Sequence, residues 1–163
     1  GRRQRCHHRF PEGSVSMDRL RISTDRDELD VDMIHRFLSQ EAYWSRGIPR
    51  GTVERAIAGS LCFGGYLDGG GQVAFARVTT DGATFGYLAD VFVLPAWRGR
   101  GYSKQLVAAV LAHPQLQGLR RLMLATSDAH GLYAQFGFRA PARPQTLMEI
   151  LRPDIYQAQA SHS

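Results

Sequence analysis

The chain has 163 residues, enough for one domain with its own hydrophobic core. Hydrophobic residues make up 44% and charged residues 21%, which is typical of a folded globular protein and excludes a wholly disordered chain. No apolar run approaches the roughly 20 residues of a membrane-spanning helix, and residues 1–16 lack the apolar core of a secretory signal. Two cysteines, Cys6 and Cys62, cannot build a disulfide framework, so a soluble cytoplasmic protein without a membrane partner is expected.

The net charge of +5 is unevenly distributed. Residues 1–16 contain four arginines and one glutamate, a charge of +3, which leaves +2 for residues 17–163. No basic stripe marks this second part, so a nucleic-acid partner is not predicted. We expect a basic flexible tail over 1–16, a folded domain over 17–156, and a flexible C-terminus over 157–163. The tail either has no role in function or contacts phosphates.

Strand and helix patterns alternate along the first half of the folded part. A short strand is predicted over 20–23, and two helices over 29–38 and 53–57 follow, because apolar residues recur there at helical spacing. Three β-rich runs separated by the turn signals DGGG and DG then predict an antiparallel meander. The third run is apolar on both faces and should be central. These runs cover 61–67, 73–80 and 85–94.

The second half continues with a glycine-rich turn over 98–101 and an amphipathic helix. A strand over 119–126, a short helix capped by Asp128, and a final extended segment over 146–151 complete the pattern. The order β-α-α-β-β-β-α-β-α-β predicts an α/β fold of the α+β kind. Its central sheet should be mixed and mostly antiparallel, with helices packed on it.

The turn at the start of this amphipathic helix carries the clearest chemical signal. A glycine-rich turn before a helix presents unpaired backbone N–H groups at the positive end of the helix dipole, which suits a phosphate or diphosphate. Gly99 and Gly101 allow close approach, and Arg98 and Arg100 add positive charge. The turn is neither a P-loop nor a dinucleotide-binding fingerprint, because GxxxxGK[ST] is absent and only two glycines are present. By itself it equally fits a tight connection with solvated arginines.

Two separated motifs resemble the GNAT superfamily of N-acetyltransferases. The first is Arg98-x-x-Gly101-x-Ser103, where the family has Arg or Gln, two residues, Gly, one residue, and Gly or Ala, so Ser103 is a departure. The second is A-x-x-L-Y-x-x-x-G-F over 129–138, with Tyr133 as its tyrosine. Family members often carry Asn seven residues before this tyrosine, where this chain has Thr126. The resemblance covers about residues 19–152.

The resemblance implies a GNAT-like sheet with helices on both faces and a V-shaped slot between two splayed central strands. The pantetheine arm of acetyl-CoA, the acetyl donor, would lie in this slot against backbone groups near Phe92 and Val93 and against Thr126. A primary amine, in a small molecule or a peptide, would attack the thioester directly. The diphosphate would bind the turn and the start of its helix, namely Arg98, Gly99, Arg100, Gly101, Tyr102, Ser103 and Lys104.

Tyr133 and Asp90 are the candidate catalytic residues. In the family the motif tyrosine often protonates the leaving thiolate, which implies this role for Tyr133, although it could also be a core residue. Asp90 is a single charge in an apolar strand, where a carboxylate is costly unless paired or facing a cavity. It is therefore either a general base or the partner of a structural arginine. Tyr43 and Trp44, between the first two helices, either wall the acceptor pocket or pack the helix ends.

Two hypotheses about function follow. The leading one is an acetyl-CoA-dependent N-acetyltransferase, an acyltransferase acting on an amine. The alternative is a catalytically silent acyl-CoA-binding or sensing domain on the same fold. The histidines and cysteines show no metal-ligand spacing, so no metal is predicted, and Cys62 is interpreted as a core residue. Neither the acceptor nor the oligomeric state follows from the sequence, and a homodimer is one option.

Overall fold

A five-stranded sheet forms the centre of the protein. The computed structural model describes residues 19–160. The first four strands pair antiparallel in chain order, and the fifth pairs parallel with the fourth. The sheet is therefore mixed and mostly antiparallel, as predicted. Its strands are β1 (Arg21–Ser23), β2 (Leu61–Tyr66), β3 (Gln72–Thr80), β4 (Phe85–Val93) and β5 (Arg121–Leu124).

Helices cover both faces of this sheet. On β3, Phe75 belongs to one buried cluster and its neighbours Ala74 and Ala76 to another, because alternate side chains of a strand point to opposite faces. The first and second helices supply the cluster around Phe75, and the third and fourth helices supply the other. The helices are α1 (Val31–Gln40), α2 (Arg50–Ala58), α3 (Tyr102–Ala112), α4 (His130–Ala134) and α5 (Ile155–Ala160).

The helix α1 shows how the local sequence produces this packing. Asp30 accepts a hydrogen bond from the backbone N–H of Met33 and so caps the helix. The apolar residues that recur at helical spacing form one buried face against the sheet. Each helix between residues 19 and 160 is too short or too polar to cross a bilayer.

Two details of the predicted pattern are wrong. The segment 146–151 is not the last strand of the sheet: Thr146 ends a 3₁₀ turn and residues 147–151 pair with no strand in the described part of the chain. Pro141, Pro144 and Pro153 interrupt this region, and Tyr156 packs beside α1, which draws the chain away from β5. Asp128 does not cap α4: the N-cap is Ala129, which makes no side-chain capping hydrogen bond, and the hydroxyl of Thr126 accepts a hydrogen bond from the N–H of Ala129.

The predicted limits of the domain fall at the edges of what the structure describes. The tail predicted over 1–16 lies outside the described residues. The boundary predicted at residue 157 falls inside α5, and residues 161–163 again lie outside the described part.

The strands β4 and β5 separate halfway along β4. Their pairing runs from Phe85 with Arg121 to Leu88 with Leu124, and beyond it β4 continues to Val93. A bulge lies in this second half, where two residues of β4, including Asp90, stand opposite one residue of β3. Asp90 has a φ of 54°, a left-handed conformation that is uncommon for a residue other than glycine. The predicted splay of the central strands is therefore present.

Candidate active site

A cavity of about 620 Å³ opens where β4 and β5 separate. The loop between α1 and α2 forms one wall, the bulged half of β4 the second, and the residues that follow β5 the third. Side chains that are far apart in the sequence therefore meet around one space. The site residues predicted from the sequence that line it are Tyr43, Trp44, Asp90, Thr126 and Tyr133.

Asp90 is held by two polar side chains at the wall of this cavity. One carboxylate oxygen accepts from Nε of Arg77 at 3.0 Å, and the other accepts from Nε1 of Trp44 at 3.0 Å. The side chains of Arg77 and Asp90 are only 19% and 12% exposed, so this ion pair is largely removed from water. Asp90 therefore pairs with a structural arginine, which is one of the two roles expected from its position in an apolar strand. Its carboxylate also holds Trp44 in place. Its role as a base stays a prediction.

The loop between α1 and α2 reaches across the mouth of the cavity. The hydroxyl of Tyr43 is hydrogen-bonded to Oγ of Ser127, which follows β5, while Trp44 is bonded to Asp90 on β4. The two aromatic rings contact each other edge to face, with centroids 5.2 Å apart. Both rings are also exposed, at 61% and 44%. Both residues line the cavity, and their contact with an acceptor stays a prediction.

Tyr133 is one of the residues that line the cavity. The residue is buried, and its ring packs edge to face on Phe138 with centroids 5.8 Å apart. Its hydroxyl makes no hydrogen bond to any residue between 19 and 157. Burial, and then the negative charge of Asp128, raise the pKa of Tyr133 above its ordinary value. The phenol therefore keeps its proton at neutral pH and can donate it.

Among the lining residues that were not predicted as functional, Asp128, Arg77 and Tyr156 have polar side chains. Asp128 is exposed, lines the cavity and lies near Tyr133. Because its residue type and position suggested a helix cap, it was not assigned to the site from the sequence. Arg77, the partner of Asp90, lies on β3, and its position in a mostly apolar run was the available signal. Tyr156 comes from α5, at the very end of the predicted domain, and no sequence signal connects it to the cavity. Each was missed because only the packing of distant segments brings it here.

We call the glycine-rich turn over 98–101 the anion cradle, after the role that the sequence predicts for it. Gly99 and Gly101 have φ of 79° and 80°, which favours glycine, and a Cβ at either position would meet no atom within 4 Å. Gly101 is the N-cap of α3 and supplies no side-chain hydrogen bond, so the N–H groups of the first turn lack an intrahelical partner. Nε of Arg98 donates to the carbonyl of Val93 at 3.0 Å and ties the turn to the end of β4.

The other predicted cofactor-binding residues differ in which of their groups are accessible to a ligand. The side chains of Phe92, Val93 and Tyr102 are buried in the two cores, so only their backbone groups are available to a ligand. The guanidinium of Arg100 stacks over the ring of Trp97, 4.8 Å from its centroid, and Lys104 is exposed. Within residues 19–160 no group of His, Cys, Asp and Glu could hold a metal ion.

Comparison with known proteins decides the family. Residues 31–138 match the model of the acetyltransferase (GNAT) family. The chain belongs to the GNAT family. This confirms the resemblance carried by the two motifs, and with it the assignment of the chain to the acetyltransferases.

Individual relatives agree with this family. A protein of Gibberella zeae named as an acetyltransferase is 36% identical over 135 residues, which cover 70% of this chain and 75% of the relative. A crystal structure of a GNAT-family protein from Xanthomonas campestris is 61% identical, with a TM-score of 0.83 over 86% of this chain and 98% of that one. AAC(6')-Iy, solved with the bisubstrate analogue CoA-S-monomethyl-acetylneamine, shares the fold at 22% identity and a TM-score of 0.55, over 83% and 97% of the two chains.

Proposed function

We propose that this GNAT-family protein transfers the acetyl group of acetyl-CoA to a primary amine by direct attack of the amine. The observation that carries this proposal is that two features lie next to each other where β4 and β5 separate. The anion cradle before α3 lies at the end of β4, and the cavity with Tyr133 lies along the same strand. We assign the activity to the predicted domain, residues 17–156.

The residues at this gap fit acetyl-CoA. The glycines of the turn leave room for a diphosphate to approach the backbone, and the first-turn N–H groups of α3 can donate to its oxygens. Beyond Leu88, the edge of β4 that faces β5 pairs with no strand in the described part of the chain, so backbone groups near Phe92 and Val93 on this edge are proposed to bind the amide-containing arm. Thr126 lines the same cavity. When bound, acetyl-CoA supplies the acetyl group as a thioester. The diphosphate-binding residues in this proposal are Arg98, Gly99, Arg100, Gly101, Tyr102, Ser103 and Lys104.

Tyr133 is proposed as the acid. Tyr133 lines the cavity, and its hydroxyl makes no hydrogen bond to another residue in the described part of the chain. Its raised pKa keeps the phenol protonated at neutral pH, so a proton is available to the sulfur as the carbon–sulfur bond of the thioester breaks. The edge-to-face contact of its buried ring with Phe138 limits the movement of the side chain.

The acceptor side of the cavity is proposed to bind the amine. Tyr43 and Trp44 give it aromatic walls, and the carboxylates of Asp90 and Asp128 give it negative charge. A primary amine is mostly protonated at neutral pH, so these carboxylates favour its entry, and a base must then remove a proton. Asp90 is the proposed base, and its side chain lines the cavity while paired with Arg77 and Trp44. The CoA-linked analogue bound by AAC(6')-Iy supports CoA-dependent transfer on this fold.

The test is release of free thiol from acetyl-CoA across a panel of amino acids, polyamines, aminoglycosides and peptides with free N-termini. We expect amine-dependent thiol release that is saturable in both substrates and is absent without an amine. Saturable binding of acetyl-CoA with no turnover on any amine would contradict the proposal and indicate the silent acyl-CoA-binding domain. Absence of acetyl-CoA binding to the folded protein would contradict both.

A further inference from the structure

The exposed aromatic side chains of the protein are gathered at one place. Within residues 19–157, Tyr43, Trp44 and Tyr87 are exposed at 61%, 44% and 38%, and all three line the candidate active site. The fourth exposed ring, Phe85, lies on the same face of β4 as Tyr87 but does not line the cavity. Exposed apolar rings that cluster around a cavity indicate a surface that meets a ligand.

Tyr43 and Trp44 form a rigid corner, which we call the aromatic corner. Their ring planes are perpendicular, with centroids 5.2 Å apart. Each ring is held by a hydrogen bond to a different wall of the cavity, the first to Ser127 and the second to Asp90. A third ring in this corner can stack on one ring and meet the edge of the other, and both are favoured arrangements of aromatic pairs. Because the two side chains are already fixed, little of their freedom is lost when such a ring binds.

Tyr87 extends the aromatic surface onto the sheet. It stands between Thr79 of β3 and Met123 of β5, where β4 still pairs with both neighbours. Ala89, the next residue on the same face of β4, also lines the cavity and has only a methyl side chain. A flat apolar group can therefore approach the strand beside Tyr87.

The charges that face the cavity favour a cation. Among its lining residues within 19–157, three are charged, namely Arg77, Asp90 and Asp128. Arg77 donates from Nε to Asp90 and from Nη1 to two hydroxyl groups, so its charge is balanced. Asp128 is exposed and forms no ion pair with a residue between 19 and 157. A carboxylate or phosphate on an acceptor would thus find no unpaired cation among these residues, and Asp128 would repel it.

The carboxylate and the rings lie in direct contact. One oxygen of Asp90 accepts from Nε1 of Trp44 at 3.0 Å, so an ammonium group bound to this carboxylate lies beside the indole ring. A cation next to an indole is itself favoured. Because the aromatic corner and the carboxylate adjoin, an acceptor that uses both has only a short chain between its amine and its ring.

We propose that the acceptor is an arylalkylamine, a primary amine joined by a short chain to an aromatic ring, with no carboxylate or phosphate. This inference rests on the proposed function, since it identifies the acceptor of the same transfer. The ring occupies the aromatic corner, and the amine lies beside Asp90 and Asp128. After the ammonium loses a proton, its nitrogen bonds to the thioester carbonyl carbon and the carbon–sulfur bond breaks. The products are an N-acetylarylalkylamine and the thiol of CoA.

Four matched acceptors test this class by thiol release at saturating acetyl-CoA. Tyramine and tyrosine share a ring and an amine, and tyrosine adds a carboxylate; tyrosine amide removes that charge again, and propylamine lacks the ring. We expect kcat/KM for tyramine to exceed that for tyrosine by at least about 30-fold, because of repulsion by Asp128, and most of this loss to be recovered with tyrosine amide. Propylamine should also be at least about 30-fold poorer, because it buries no ring.

Two variants test the residues that make the selection. Tyr43→Ala should lower kcat/KM for tyramine by about 10-fold or more and for propylamine by less than about threefold, because only tyramine uses the ring. Phe85→Ala removes an exposed ring of β4 outside the cavity and should leave both values unchanged. Asp128→Asn should raise the ratio of tyrosine to tyramine turnover by about 10-fold. Both acceptors meet the same Tyr133, so a change in the pKa of Tyr133 cancels in this ratio.

The outcomes separate this inference from the proposed function. Acetyl transfer that is as efficient with tyrosine or propylamine as with tyramine, or most efficient with the N-terminus of a peptide, would overturn the inference and leave the proposed function standing. Equal losses for tyramine and propylamine in Tyr43→Ala would overturn the aromatic corner as the binding site of the ring. Acetyl-CoA binding without thiol release on any amine would refute the proposed function, and the inference with it.

Discussion

The substitution Gly101→Asp tests the anion cradle most directly. Gly101 has a φ of 80°, and a Cβ there would meet no atom within 4 Å, so the new side chain fits without a clash. Aspartate is among the residues that tolerate this left-handed conformation, at a cost of roughly 1 kcal/mol. A negative charge at the N-terminus of α3 stabilises the helix by about 0.3–1 kcal/mol through the helix dipole. We therefore expect the free energy of unfolding to change by less than about 1 kcal/mol.

Binding of acetyl-CoA should change much more. A carboxylate about 5 Å from one charge of the diphosphate, at an effective dielectric constant of about 20, costs roughly 3 kcal/mol. That energy corresponds to about 200-fold weaker binding, and the side chain also blocks the approach to the first-turn N–H groups of α3.

Calorimetric titration with acetyl-CoA measures this effect, and thermal unfolding confirms that each variant is folded. Gly101→Ala introduces a similar backbone strain without the charge and should lose far less affinity. Gly118→Asp is the second control, because Gly118 also has a left-handed φ, of 75°, and equally free space around its Cβ, but lies outside the cradle. Equal affinity of Gly101→Asp and the wild type, or an equal loss in Gly118→Asp, would refute the cradle.

Three further predictions concern single side chains. Tyr133→Phe should lower kcat by a factor of roughly 10²–10⁴, nearer the lower value because a thiolate leaves readily, and should keep the affinity for acetyl-CoA within a few-fold. A wild-type kcat at saturating substrate would show that Tyr133 is only a core residue. Asp90→Asn tolerates the left-handed φ but removes the charge facing Arg77, so denaturant titration should show a loss of about 1–3 kcal/mol, and an unchanged midpoint would contradict the ion pair's importance. Burial raises the pKa of Cys62 from about 9 to about 11, so the folded state holds this proton more tightly. The stability that the protonated thiol gives the folded state is complete below pH 9 and is lost as the pH rises to 11. The difference in the free energy of unfolding between the wild type and Cys62→Ala should therefore shrink by roughly 2 kcal/mol over that interval. A constant difference would contradict the raised pKa of Cys62.

Much of the fold could be predicted because its signals are local. The buried faces of α1 and α3, the meander of β2, β3 and β4, and the glycine turn each depend on residues within a few positions of one another. The two errors have a different cause. Asp128 is a suitable cap by residue type, but α4 begins one residue later, with Ala129 as its N-cap. The segment 147–151 has the pattern of a strand, but its pairing depends on where the chain is anchored before and after it.

The candidate site shows the same division. The sequence by itself determined the cradle and the motif with Tyr133, because a left-handed turn before a helix N-terminus, and a tyrosine on a short helix, are specified by neighbouring residues. Only the tertiary structure decided which groups face them. Trp44 reaches Asp90 across 46 positions, and Tyr43 reaches Ser127 across 84. A polar side chain in an apolar strand must find a partner, but the sequence names no partner, since strand register and loop path determine which of many donors comes within hydrogen-bonding distance.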